Sequence, residues 1–139
     1  MEPYLKKWYD SQKEGKLLGV RCRKCGNVEF PPVPVCNKCG ALEEMDWIEM
    51  SGKGKVTSFS FSPFGIASFH NDPVTTVWVE MEEGPTIMSW SDDFPEGDPQ
   101  EQLKMLPMSC VAEIRQLDQY VWFPVFHVVE DEKDETGKE

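Results

Sequence analysis

The chain has 139 residues with 14 Lys and Arg against 25 Asp and Glu, a formal net charge of -11, and 40% hydrophobic residues, 12% aromatic. That acidity disfavours nucleic acid and anionic membranes as general partners, while the apolar share suffices for a packed core and excludes a wholly disordered chain. The charge is uneven: residues 1–40 hold eight basic and four acidic groups, net +4, and residues 41–139 hold six and 21, net -15.

In chain order, Pro3 opens a short helix with Leu5, Trp8, Tyr9 and Gln12 on one stripe, and Gly15 stops it. Residues 17–21 read as a strand entering a first cysteine turn, and 28–30 as a strand leaving it. Residues 31–34, Pro-Pro-Val-Pro, form a stiff extended connector that presents Val33 and Val35. From residue 45 the pattern becomes short strands with alternating faces. Residues 45–50 and 55–61 read as one strand curled by Gly52 and Gly54. Residues 74–81 put Val77, Val79 and Met81 on one face and turn at Glu83, Gly84 and Pro85 into 86–90.

Asp98 then caps a helix with Pro99 at its first position and Glu101 completing a capping box. Residues 109–116, with Cys110, Ala112 and Ile114 inward, and 120–129 are the last strands. Three strands, a helix and two strands are the element order of a five-stranded OB barrel, with the helix plugging one end. The expected division is an N-terminal helix and a ribbon carrying the cysteine turns over 1–44, an OB-fold domain over 45–129, and an acidic, disordered tail over 130–139.

Cys22, Cys25, Cys36 and Cys39 form two Cys-x-x-Cys-Gly knuckles separated by ten residues. Two residues between cysteines let both thiolates of a turn face one metal, and two such turns supply the four tetrahedral sulfurs that structural zinc favours. Gly26 and Gly40 suit the positive φ that closes each turn. Iron in a rubredoxin-like site uses the same ligands. A redox Cys-x-x-Cys would come once beside a βαβ pattern, and paired disulfides do not suit a chain without a secretory signal. Cys110 lies in an apolar segment and reads as a buried structural thiol.

No stretch has the 18 or more apolar residues of a membrane span, and the first residues lack a signal-peptide core, so a cytoplasmic location is expected. No Gly-rich phosphate loop, nucleophile elbow or His-Glu-x-x-His is present, and the only histidines are His70 and His127. His70 reads as part of an apolar loop lip that suits a partner contact, and His127 as a barrel-wall residue.

Taken together, these features resemble the "domain of unknown function 35" family. The residues that carry the resemblance are the aromatic helix, the two knuckles, the Pro31-Pro32-x-Pro34 connector, a Trp47-x-x-x-Ser51-Gly52-x-Gly54-x-Val56 step, and a closing strand with Val121, Phe123, Pro124 and Phe126. Residues 106–109, Leu-Pro-Met-Ser, depart from the family's Ile-Gly-x-x-Val approach to the fourth strand. The resemblance covers residues 1 to about 129 and implies a rubredoxin-type zinc ribbon fused to an OB fold.

It further implies a non-catalytic subunit in a hetero-oligomer with a thiolase-superfamily enzyme, or with an aldolase or hydratase, acting on coenzyme A thioesters. One family member is the small subunit of a thiolase of anaerobic aromatic degradation, similar to this chain in size and layout. In this reading the nucleophile and acid/base belong to the partner, and the chain stabilises it and helps form the CoA channel. Arg21, Arg23, Lys24 and Lys38, beside the knuckles, offer charge-assisted contacts to the CoA phosphates. A single-stranded nucleic-acid module is the alternative, with Phe59, Phe61, Trp78 and Trp90 stacking bases. Glu80, Glu82, Glu83, Asp92 and Asp93 beside those aromatics oppose it.

Overall fold

The computed structural model describes residues 3–63, 73–117, 119 and 121–130. His70 and nearly all of the acidic tail therefore lie outside the described residues. Helix α1 (Pro3–Lys13) precedes β1 (Leu18–Cys22), β2 (Val28–Glu29) and β3 (Met45–Glu49), which form an antiparallel sheet in the order β2-β1-β3. Strands β4 (Lys53–Ser62), β5 (Val74–Met81) and β6 (Thr86–Ser91), helix α2 (Pro99–Lys104), β7 (Met108–Gln116) and β8 (Trp122–Val128) follow. Their sheet has the order β6-β5-β4-β7-β8.

The end strands β6 and β8 lie against each other, where Ser89 Oγ donates to the Pro124 carbonyl at 2.6 Å. That closure, with α2 between the third and fourth barrel strands, is the OB arrangement. A register shift at Thr57 in β4 supplies the bulge that curls its strand.

Two expectations change. Residues 45–49, read as the start of the barrel's first strand, instead pair with β1 from Leu18↔Glu49 to Cys22↔Met45. The ladder ends where the Met50 amide donates to Leu17 O at 2.7 Å, and Gly52 at φ 80° turns the chain into the barrel. Alternation alone does not reveal that break, because both pieces keep period two.

In α1 the buried residues are Trp8, Ser11 and Gln12, whereas Leu5 is exposed. Trp8 sets that rotation: its ring meets Phe30 edge-on at 5.6 Å and Phe123 of β8 at 6.3 Å. Tyr4 stacks on Trp47 at 5.1 Å.

The main core runs without interruption from the barrel (Val56, Val77, Val79, Met81, Cys110, Phe126) to Trp8, Leu17, Phe30 and Met50 at the ribbon. The ribbon's own cluster is only Val20, Cys22, Cys36 and Met45, flanked by Tyr4, Ala41 and Trp47. At about 1.5–3 kcal/mol for each fully buried large apolar side chain, so small a cluster contributes modestly, and the ribbon is also held through Leu17, Phe30 and Met50 in the shared core.

Asp98 caps α2, accepting from the Gln100 amide at 3.1 Å, while the Glu101 carboxylate pairs with Lys104 at 3.2 Å. Among the described residues no helix is long and apolar enough to cross a membrane.

Candidate metal centre

Each knuckle is a chain reversal closed by glycine: the Gly26 amide donates to Cys22 O and the Gly40 amide to Cys36 O, both at 2.9 Å, with φ of 82° and 78°. The short ladder of β1 with β2 and the bridge Val35↔Leu42 hold the two turns face to face. The sulfurs of Cys22, Cys25, Cys36 and Cys39 then all lie within 4.8 Å of one another. Cys25 and Cys36 are 3.5 Å apart, and Cys22 and Cys39 are 3.7 Å apart.

A tetrahedral zinc with bonds of about 2.3 Å requires sulfurs about 3.8 Å apart, so the four cysteines fit the ion. The backbone N–H groups of Cys39 and Lys38 pull the Cys36 thiol down to about 6, and that of Cys25, with that of Lys24, lowers Cys22. At Cys25 the Asn27 backbone N–H favours the thiolate, but burial and the neighbouring sulfurs outweigh it and push the thiol up to about 11. Four sulfurs this close ionise together only around a cation. A site with all four positions filled by thiolate has none left for water or substrate, so its role is structural.

Around the sulfurs runs a hydrogen-bond system that the spacing of the cysteines does not reveal. Glu29 Oε2 accepts from Asn27 Nδ2 at 2.7 Å and from the Asn37 amide at 3.0 Å, and Oε1 accepts from Asn37 Nδ2 at 3.0 Å. Asn27 Nδ2 also lies 3.7 Å from Cys36 Sγ. The available signal was Glu29 itself, the one acidic residue between Cys22 and Cys39.

The basic residues beside the ribbon divide. Arg21, Lys24 and Lys38 are exposed, on β1 and the two knuckles. Lys38 lines a cleft of about 310 Å³ between the first knuckle, at Cys25 to Val28, and the turn at Glu83, Gly84 and Pro85. Arg23 is engaged within the ribbon, meeting Asp46 at 2.6 Å and Glu44 at 3.2 Å and donating to the Glu43 carbonyl at 3.2 Å.

Elsewhere, Cys110 is 1% exposed and burial pushes its thiol up to about 11, which leaves it unreactive near neutral pH. His127 Nε2 lies 2.6 Å from Glu113 Oε1 and its Nδ1 3.1 Å from Asp93 Oδ2, and these carboxylates raise its pKa. Arg115 joins Glu113 at 2.9 Å to Asp92 at 2.5 Å, which makes this an ionic clamp across the barrel wall. Of the aromatics considered for base stacking, Trp90 is buried, Phe59 lies against Phe94 at 4.9 Å, Trp78 is half-buried and Phe61 is exposed.

Residues 12–44 match the family model described as "ChsH2, rubredoxin-like zinc ribbon domain", so the cysteine cluster is a zinc-ribbon site. Two proteins named "DUF35 domain-containing scaffold protein" are similar. The one from Methanocaldococcus jannaschii is 36% identical over 60% of this chain and 60% of its own. The one from Methanothermobacter thermautotrophicus is 30% identical over 64% of this chain and 68% of its own. "Benzoylsuccinyl-CoA thiolase subunit BbsA" of Thauera aromatica is 32% identical over 57% of this chain and 54% of its own. The chain thus spans little more than half to two thirds of these relatives. A solved structure described as "Ltp2-ChsH2(DUF35) aldolase" superposes with a TM-score of 0.71 at 23% identity, covering 92% of this chain and 96% of that one, which shows a shared fold.

Proposed function

The chain belongs to the DUF35 family, and from that premise we propose that it is the non-catalytic zinc-ribbon subunit of a thiolase-type enzyme acting on acyl-CoA thioesters. The observation that carries the reading is the similarity to a benzoylsuccinyl-CoA thiolase subunit, 32% identical over 79 residues. That relative also makes an aromatic acyl group, met in anaerobic aromatic degradation, the first substrate to try.

In this assignment the partner supplies nucleophile, acid and base. This chain stabilises the partner and lends the net-basic ribbon to the CoA entrance. Arg21, Lys24 and Lys38 are open to solvent and meet the diphosphate and 3'-phosphate. Arg23, held by Asp46 and Glu44, braces the strands behind them. The zinc orders the ribbon and takes no part in acyl transfer, and the complex works in the cytoplasm.

The test is co-expression with a thiolase-like chain, sought first among the reading frames beside this one. Co-elution is expected, with thiolytic activity that needs both chains. Replacing Arg21, Lys24 and Lys38 together by Ala should raise KM for CoA about tenfold or more while the complex still assembles. A partner fully active alone, with no co-elution, would sink the proposal.

A further inference from the structure

The carboxylate of Glu29 has an unusual set of neighbours for a two-residue strand at the edge of a small sheet. It collects three N–H donors, one from the first knuckle (Asn27 Nδ2, 2.7 Å) and two from the second (the Asn37 amide and Nδ2, 3.0 Å each). An asparagine amide carries two N–H groups in a plane about 120° apart. With one N–H of Asn27 fixed on Glu29, the other faces Cys36 Sγ at 3.7 Å. Cys36 already receives the Lys38 and Cys39 amides at 3.4 Å, so its sulfur has three N–H neighbours.

From this geometry we infer that Glu29 is a positioning residue for the metal centre: through Asn27 it sets the third N–H on the Cys36 thiolate, and through Asn37 it locks the second knuckle against the first. Electrostatics make the arrangement informative. A four-thiolate zinc carries a net charge of -2, so a carboxylate beside it is repelled and its presence needs a compensating role. That role requires an acceptor at both oxygens. A glutamine offers one neutral acceptor oxygen for the three donors, so its NH2 faces at least one of them and the charge that strengthens the bond aiming the Asn27 amide is lost. Outer hydrogen bonds of this kind delocalise charge from a ligand sulfur, slow its protonation and hold the ion longer.

The experiment uses the full-length zinc-loaded chain and its cobalt(II)-substituted form. Zinc transfer to a chromophoric chelator is timed for the parent, Glu29→Gln and Asn27→Ala, and the sulfur-to-cobalt charge-transfer band is recorded for each. Both variants should release zinc about tenfold faster or more and shift the band. The double variant should be no faster than Glu29→Gln alone, because Glu29 acts on the sulfur through Asn27. Parent-like release with an unmoved band overturns the inference, even where the melting temperature falls, since a purely structural tie would lower stability without touching the sulfur. If Glu29→Gln does not fold, Asn27→Ala decides. It keeps the Glu29 to Asn37 bonds, and an unmoved band in that variant overturns the assignment.

Discussion

Trp8 is where helix, ribbon and barrel meet, and replacing it tests whether they form one cooperative unit. Its side chain is 3% exposed, with Phe30 of the ribbon on one edge and Phe123 of the barrel on another. Truncation to Ala should cost about 3–5 kcal/mol, the range for a buried aromatic whose site cannot collapse. At about 3–5 °C per kcal/mol for a chain of this size, the melting temperature falls by roughly 10–25 °C. Trp8→Phe behaves differently. The indole Nε1 has no hydrogen-bond partner among the described residues, and leaving such a donor buried costs about 1–3 kcal/mol. Removing it offsets part of the lost packing and keeps the net change within about 1.5 kcal/mol. Urea unfolding of the zinc-loaded protein, followed by far-UV circular dichroism, measures both. The Ala variant should also separate the single transition into a ribbon step and a barrel step. A Trp8→Ala change under about 1 kcal/mol, or a Phe variant as damaged as the Ala variant, would refute the shared core.

Three further outcomes follow from other sites. Cys36→Ser removes the ligand sulfur on which three N–H groups converge, so the chain should purify with less than one equivalent of zinc by elemental analysis. Its ribbon should be cut by protease under conditions that spare the parent. The ionic clamp predicts a two-sided pH profile for the melting temperature. His127 has a raised pKa, so its contribution is complete below about 6.5 and fades as pH climbs through the folded value. Glu113 and Asp93 have lowered pKa values, so theirs is complete above the usual carboxylate range and fades on acidification. His127→Ala should flatten the alkaline limb, and an unchanged slope above pH 6.5 would rule the clamp out. Gly54→Ala places a Cβ 2.7 Å from both the Glu80 carbonyl and Val79 Cγ1, in the central strand of the barrel. Backbone must move to admit it, so a loss of more than about 3 kcal/mol is expected by chemical denaturation.

The sequence displayed what is local. The knuckles announce themselves because ligand spacing and a trailing glycine are dictated by one turn, and Asp98 with Pro99 marks a helix start for the same reason. Val77, Val79 and Met81 alternate as a half-buried strand must, and they are buried. What stayed hidden depends on partners distant in the chain. Nothing within 45–49 says whether those residues pair with β1 or with a barrel strand. Arg23 looks free until Asp46, 23 positions away, is folded beside it. On α1 Trp8 and Gln12 are buried and Tyr9 packs against the core, as the stripe predicts, and Leu5 alone is left exposed at the edge of the face that seats Trp8 against Phe30 and Phe123. Glu29 belongs to no ligand motif, and its contacts run through two asparagines, Asn27 and Asn37, that only the fold brings to it.

A chain built so heavily from strands and aromatic residues must keep its sheets from adding to one another, and the seam between β6 and β8 bears on that. In an open five-stranded sheet these two would be the free edges, rows of unmet N–H and C=O groups ready to recruit a strand from another molecule. Here each edge faces the other, and Pro124, which has no N–H to offer, sits at the middle of β8 with its carbonyl already taken by Ser89. Asp93 reaches across to the Val128 amide at 3.0 Å and covers the far end of the same row. Two side chains and an imino acid thereby cover the row along which a strand from another copy would add to the barrel.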